Sequence, residues 1–116
     1  MGYELDVVHP AVECYIQSAY EGRYWHHFRL PSGGIADFIV FPNPSLVYMI
    51  ECKGGCDEFD ATIVQVMRYT EEWRNHTGME TLPVIAIPKN SYGYTRALYK
   101  CLSRAILLFD VDSASK

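Results

Sequence analysis

Three charged side chains lie in two consecutive apolar segments of the chain, and together they could carry out hydrolytic chemistry. Asp37 stands in the segment 33–41, and Glu51 and Lys53 stand in the segment 47–55. An uncompensated charge is costly to bury, so charged residues in such segments are usually paired or bind a metal. Two carboxylates suit a divalent cation, and a lysine beside them suits the stabilisation of negative charge. The trio therefore predicts a hydrolytic metal site.

The elements that must position this trio follow from hydrophobic periodicity and from turn residues. The pattern predicts a helix over 7–20, strands over 23–30, 35–41 and 46–53, a helix capped by Asp57 or Asp60 and ending near 75–76, a strand over 81–87, a helix over 94–104 and a strand over 105–111. With 49% hydrophobic residues, the chain fits one domain over residues 1–116. The order α-β-β-β-α-β-α-β predicts an α/β fold with a central mixed sheet flanked by helices.

A turn centred on Pro44 sets the register of the second and third strands. Facing residues then have numbers that sum to 88, which pairs Phe41 with Val47, Ile39 with Met49, and Asp37 with Glu51. Facing Cβ atoms on one side of an antiparallel pair lie about 4.5 to 5.5 Å apart. Two carboxylates at that separation repel each other unless a cation lies between them or one is protonated. Strand alternation puts Lys53 on the same face as Glu51, and Cys52 on the opposite, apolar face.

The expected cation is Mg²⁺ or Mn²⁺, which protein oxygen atoms and water bind well. Asp37, Glu51 and the backbone carbonyl of Cys52 would hold the ion, which would activate a water for attack on phosphorus. Lys53 would stabilise the transition state or position the attacking water. The alternative is a structural cluster in which Lys53 neutralises the two acids.

Asp37 followed by Glu51-Cys-Lys53 resembles the signature of the PD-(D/E)xK nuclease superfamily. In length and simplicity the chain is most similar to the small archaeal or viral Holliday-junction resolvases and the virus-type replication-repair nucleases of that superfamily. Ala36 stands where a proline or another small residue is common. The resemblance implies the restriction-endonuclease-like αβββαβ core and a Mg²⁺-dependent DNA endonuclease. It further implies selectivity for junction, flap or nicked DNA in repair, recombination or viral replication, and a homodimer that cuts two strands.

The same resemblance implies roles for residues on the two helices next to the trio. Many members carry an acid on the first helix that supports the metal. Glu13 fits this position, with Glu4 as the competitor and a solvated helix face as the alternative. Gln65 and Tyr69 resemble the Gln-x-x-x-Tyr motif of RecB-type members, and this implies a catalytic role for both. Some RecB-related nucleases hold an iron–sulfur cluster with three late cysteines, but this chain has only Cys101 in that region. No iron–sulfur cluster is therefore expected.

The net charge of −4 argues against a broad basic surface for nucleic acid, so local clusters must contact the expected DNA partner. The segment 23–29 interleaves arginines and histidines with aromatic residues that could stack on bases, although an edge strand would show the same pattern. The candidate phosphate contacts are Arg23, Arg29, Arg68 and Lys89. No apolar stretch is long enough for a membrane span, and the N-terminus lacks a signal-peptide layout. We therefore expect no membrane association and a cytoplasmic, intracellular location, in the host cell for a virus-encoded member.

Cysteine chemistry and loss of catalysis supply the competing hypotheses. Cys14, Cys52, Cys56 and Cys101 could form a zinc or redox site, but their spacing matches no standard ligand pattern, and intracellular thiols normally stay reduced. A non-catalytic nucleic-acid-binding module that keeps the nuclease fold is the other alternative. The complete set of two acids and a lysine favours catalysis.

Overall fold

Eight helices and strands follow one another along residues 7–111, which are the residues that the computed structural model describes. They are α1 (His9–Tyr20), β1 (Tyr24–Arg29), β2 (Ile35–Asn43), β3 (Leu46–Cys52), α2 (Phe59–Thr77), β4 (Glu80–Ile87), α3 (Tyr94–Ser103) and β5 (Leu107–Asp110). Their order is the predicted one, so the prediction of an α/β fold is confirmed. Within this range, no helix has both the length and the apolar character needed to cross a membrane.

The strands form one sheet in which neighbours in the chain are also neighbours in space, in the order β1-β2-β3-β4-β5. The β1–β2 and β2–β3 pairs are antiparallel, and the β3–β4 and β4–β5 pairs are parallel. A parallel pair needs a crossover connection, which α2 and α3 provide. The sheet is therefore mixed, as the sequence predicts.

Helices cover both faces of this sheet. The core residues of α1 pack with Phe38 and Ile50 on one face, whereas those of α2 and α3 pack with Ile39 and Met49 on the other. This division follows from the alternation of side chains along β2 and β3. Most of β4 is buried, and its residues contribute to both cores, as expected for a central parallel strand.

The hairpin between β2 and β3 has the predicted register over its central part. Phe38, Ile39 and Val40 face Ile50, Met49 and Tyr48, each pair with numbers that sum to 88. Nearer the turn the register shifts, and Asn43 faces Leu46. The side chain of Asn43 accepts a hydrogen bond from the Ser45 backbone N–H at 2.9 Å, which closes the turn asymmetrically. The expected pair Phe41 and Val47 falls in this irregular stretch, so the symmetric turn holds only for the inner part of the hairpin.

The start of α2 differs from the prediction that Asp57 or Asp60 caps it. The N-cap residue is Glu58, whose backbone is left-handed with φ of 53° and whose side chain makes no capping hydrogen bond. Its backbone carbonyl instead accepts the Ala61 N–H at 3.1 Å. Asp60 lies inside the first turn, where its negative charge interacts favourably with the helix dipole but does not cap the helix. Gly78 ends α2 in a left-handed conformation, as predicted.

Candidate active site

The sheet topology brings the predicted trio to one end of the sheet. Asp37 lies near the start of β2, Glu51 lies next to the end of β3, and Lys53 follows β3 directly. The backbone N–H of Lys53 donates to the Ala86 carbonyl of β4 at 2.9 Å, which continues the parallel ladder past the end of β3. The trio therefore lies at the carboxyl ends of the parallel strands, where α/β proteins commonly bind ligands.

Reciprocal hydrogen bonds hold the two acids side by side. The Asp37 backbone N–H donates to Oε2 of Glu51 at 3.2 Å, and the Cys52 backbone N–H donates to Oδ2 of Asp37 at 2.7 Å. Each carboxylate thus accepts from the strand that carries the other. This arrangement continues the hairpin register and gives the closeness that the register predicts.

The surroundings of the pair are partly closed to water. Glu51 is 5% exposed, and the side chain of Asp37 is 16% exposed. From α2, the Gln65 side-chain amide donates to Oε1 of Glu51 at 3.1 Å. Both oxygens of Glu51 therefore accept an N–H donor, and this fixes the orientation of the carboxylate.

A polar cavity of about 300 Å³ opens onto these side chains. It is lined by Asp37, Glu51, Cys52, Lys53, Glu58, Ala61, Thr62 and Gln65. The structure thus brings the two acids, the lysine and the glutamine of the expected site into one cavity. Cys52 lies with its side chain in the core on the α1 face, as alternation predicts.

Tyr69 lies next to this site and contacts the chain before β2. A Cβ at Gly34 would lie 2.7 Å from the Tyr69 hydroxyl oxygen, so the ring packs where only glycine leaves room. Burial and then the charge of Glu51 raise the pKa of the Tyr69 phenol. Tyr69 is therefore suited to holding the 30–35 loop in place and remains protonated at neutral pH.

From α1, it is His9 that approaches the trio, and Glu13 lies elsewhere. Nε2 of His9 is 3.7 Å from Oδ2 of Asp37, whereas the Glu13 carboxylate accepts a 2.6 Å hydrogen bond from the hydroxyl of Tyr24. Four residues of helix advance the chain by about 6 Å, which carries Glu13 away from the end of the sheet. Glu13 does not line the cavity. Glu4 lies outside the described residues.

Sequence reasoning missed three residues near the site: His9, Glu58 and Thr62. A histidine before a first-turn proline must lie at the helix end, and this signal could have pointed to His9. Thr62 precedes Gln65 by three residues and therefore lies on the same face of α2, so the position of Gln65 could have predicted it. The sequence carries no signal for Glu58, because its position at the cavity depends on a left-handed backbone at the start of α2, which is uncommon for a residue other than glycine.

Two of the four predicted phosphate contacts lie at the same end of the sheet as the trio. Arg29 faces Ile35 in the register, two residues before Asp37, and its guanidinium is exposed. Lys89 follows the carboxyl end of β4, with its ammonium 3.9 Å from a carboxylate oxygen of Asp110. Both cationic side chains therefore belong to the end of the sheet that carries the trio.

The other two predicted contacts lie away from the site. Arg23 precedes Tyr24, which faces Val40 at the far end of β2, so the distance along the strand separates Arg23 from the cavity. Arg68 is exposed on α2 beside a different surface depression, together with Arg74. All of the segment 23–29 except Arg23 forms the edge strand β1, which is the alternative that its pattern left open.

Comparison of this chain with protein-family models, with curated proteins and with solved structures finds no match. The geometry of the cavity is therefore the basis for assigning a function.

Proposed function

We propose that the chain is a Mg²⁺- or Mn²⁺-dependent DNA endonuclease of the PD-(D/E)xK type. The observation that carries this proposal is the reciprocal pairing of Asp37 and Glu51 on adjacent strands, with Lys53 lining the same cavity. The order of the elements, which contains the run αβββαβ, also supports it. From the resemblance we extend the proposal to structured DNA as the substrate and to a homodimer as the active form.

The side chains of the cavity fit a hard divalent cation. Asp37 and Glu51 supply carboxylate oxygens side by side, and Glu58 adds a third acid to the lining. Oxygen ligands of this kind suit Mg²⁺ or Mn²⁺, which retain several waters and bind through one or two carboxylates. When bound, the cation would polarise a phosphodiester and lower the pKa of a water ligand.

The other residues act on the substrate or on the two acids. The Lys53 ammonium would stabilise the negative charge that develops on the phosphate during attack. Gln65 holds Glu51 through its amide, so it positions the acid. Arg29 and Lys89 would contact the DNA backbone on either side, which supplies local positive charge to a chain with a net charge of −4.

A cleavage assay with matched variants tests the proposal. The substrates are four-way junctions, flaps, nicked duplex and single strands, each with Mg²⁺, with Mn²⁺ and with a chelator. Asp37→Asn, Glu51→Gln and Lys53→Met should each reduce cleavage by about 100-fold or more, the effect expected for loss of a group that stabilises the transition state. Asp57→Asn is the control, because Asp57 is exposed next to the cavity but does not line it.

Circular dichroism would show that the variants are folded, and light scattering would test the homodimer. Full cleavage by Glu51→Gln, or cleavage by the parent that persists in the chelator, would refute the assignment.

A nucleic-acid-binding module without catalysis is the second candidate. The observation that favours it is the hydrogen-bonding of Glu51, whose two oxygens accept N–H donors of Asp37 and Gln65 in a buried position. Such a carboxylate can stabilise the fold without any cation. Binding of the same DNA panel with no cleavage under any metal condition would select this function.

A further inference from the structure

A cluster of three histidines lies near Asp37 without lining the cavity. His9 belongs to α1, and His26 and His27 belong to β1. One ring nitrogen of each lies within 4.8 Å of the ring nitrogens of the other two. The closest approach joins Nδ1 of His9 and Nε2 of His26, at 3.1 Å.

We propose that His9, His26 and His27 bind a transition-metal ion, with Zn²⁺ as the ion that fits best. Zinc–imidazole bonds are about 2.0 to 2.1 Å long, so two nitrogens that share one zinc ion lie roughly 3.3 Å apart in tetrahedral geometry. The 3.1 Å separation of the two nearest nitrogens is close to this value. Three protein ligands would leave the fourth position to water, an arrangement that zinc proteins use.

The backbone of β1 brings the second and third histidines to the same side. Consecutive residues of a strand normally project from opposite faces. His27 has a left-handed backbone with φ of 55°, which is uncommon for a residue that carries a Cβ, and its ring stacks on that of His26 with centroids 3.9 Å apart. This local change of backbone conformation within β1 therefore brings together two imidazoles that regular strand geometry would separate.

Carboxylates lie behind the two nearest rings, and a carboxylate is one of the usual partners of the second ring nitrogen of a metal-bound histidine. Nε2 of His9 faces Asp37 at 3.7 Å, and Nδ1 of His26 faces Glu13 at 3.9 Å. Glu13 is itself held by the hydroxyl of Tyr24 at 2.6 Å. Each ring can therefore direct one nitrogen to the ion while the other nitrogen faces an acid.

The choice of ion follows from the ligands and from their exposure. Imidazole nitrogens prefer zinc, copper and nickel to the hard cations that bind carboxylates. His9 is 3% exposed, whereas His27 is exposed and the His26 side chain is 30% exposed. An ion can thus enter from the surface of β1. This site differs in ligand type and position from the acid cavity, and it does not depend on nuclease activity.

A second group shares His9 and must be distinguished from the first. Ligand atoms of His9, Asp37 and Cys52 also lie within 4.8 Å of one another. Cys52 is 1% exposed and lies in the core, so an ion would have no direct route to it from the surface. Variants of His26, His27 and Cys52 separate the two groups, because each is a member of only one.

The test is a Zn²⁺ titration of the whole chain in the presence of Mg²⁺, read by competition with a chromophoric chelator, and a parallel Co²⁺ titration read by visible absorption. We expect one Zn²⁺ per chain and a tetrahedral Co²⁺ spectrum. His26→Gln and His27→Gln should each weaken binding by about 100-fold or more, since loss of even a carboxylate behind a metal ligand costs about 10- to 100-fold.

Three matched variants should bind Zn²⁺ like the parent. They are His76→Gln, which alters the remaining histidine of the chain on an exposed part of α2, Cys52→Ala and Glu51→Gln. Each variant is checked for folding by circular dichroism. His9→Gln changes a buried residue, so the proposal is judged on the two exposed histidines.

Specific outcomes would overturn the proposal. It fails if the parent binds no Zn²⁺ at micromolar concentration, or if His26→Gln and His27→Gln both bind like the parent. Loss of binding in Cys52→Ala would assign the ion to the buried group, and loss in Glu51→Gln would assign it to the acid cavity.

Discussion

Replacement of Gly34 by alanine should destabilise the protein through a clash with Tyr69. A Cβ at this position would lie 2.7 Å from Cε1 and Oη of the Tyr69 ring and 2.9 Å from Cζ. The backbone of Gly34 is outside the left-handed region, so alanine meets no conformational penalty there. The ring is partly buried near Glu51 and Asp37, so either the ring would have to move or the loop would have to open.

The size of the effect follows from two opposing terms. Overpacking of a well-packed site typically costs about 1 to 3 kcal/mol. Alanine also restricts the unfolded chain, which offsets the cost by about 0.4 to 1 kcal/mol. We expect a net loss of roughly 1 to 2 kcal/mol, which corresponds to a fall in Tm of about 4 to 8 °C for a domain of this size.

The assay is urea and thermal unfolding of a double-mutant cycle between positions 34 and 69. Tyr69→Ala removes the ring, so Gly34→Ala should cost nothing in that background and become neutral or stabilising. Tyr69→Phe keeps Cε1 and Cζ and should relieve little of the clash. Gly55→Ala is the control, because no heavy atom lies within 4 Å of its added Cβ and its backbone is also outside the left-handed region.

The reasoning is refuted if Gly34→Ala costs as much in the Tyr69→Ala background as in the parent, since the loss would then arise outside the ring. It is equally refuted if Gly34→Ala is as harmless as Gly55→Ala. A change of the denaturant m-value would indicate an effect on the unfolded ensemble instead of the native contact.

Three further predictions concern the core and the titrating groups. Burial raises the pKa of the Cys101 thiol to about 11 from 9.0, so its contribution to stability is full below pH 9.0 and is lost as the pH rises toward 11. At about pH 8, iodoacetamide should alkylate exposed Cys14 much faster than Cys101 in peptide mass spectra, and equal rates would contradict this. The Lys100 ammonium lies 2.7 Å from Asp60 and lowers the pKa of that carboxyl below 3.8, so the pair stabilises the fold above pH 3.8 and loses this effect as the pH falls through the lowered pKa of Asp60. Lys100→Met should raise the Asp60 pKa in an NMR titration, and an unchanged pKa would show that the contact is absent. Met49 is fully buried, and Met49→Ala should lower the free energy of unfolding by about 2 to 5 kcal/mol in urea, whereas a loss near zero would mean that the core is loosely packed.

The hairpin shows why much of the fold could be predicted from the sequence. The turn residues around Pro44 predict the centre of the hairpin, and the position of a turn fixes which residues of β2 and β3 face each other. This register alone makes Asp37 and Glu51 neighbours, whatever the positions of the helices. The shift near Asn43 could not be predicted in the same way, because it depends on one side-chain hydrogen bond to Ser45.

The rotation and end of α1 show where prediction stopped. The sequence identifies the helix and its apolar stripe, but the side chain that reaches Asp37 depends on which turn of the helix meets the end of the sheet. His9 occupies that turn, and Glu13 lies one turn further along. A helix advances by about 5.4 Å per turn, so an error of one turn is enough to exchange a histidine for an acid.

The order of strands in the sheet accounts for the position of Asp37 between the two sets of residues that we propose as metal ligands. β2 lies between β1, which carries His26 and His27, and β3, which carries Glu51. Oδ2 of Asp37 accepts the Cys52 N–H on one side and faces His9 on the other. A cation held by the acids would bind Asp37 directly, whereas an ion held by the histidines would act on Asp37 only through the His9 ring. The two sites therefore differ in what they require of this residue: the acid cavity needs its charge, and the histidine cluster needs only an acceptor behind the ring.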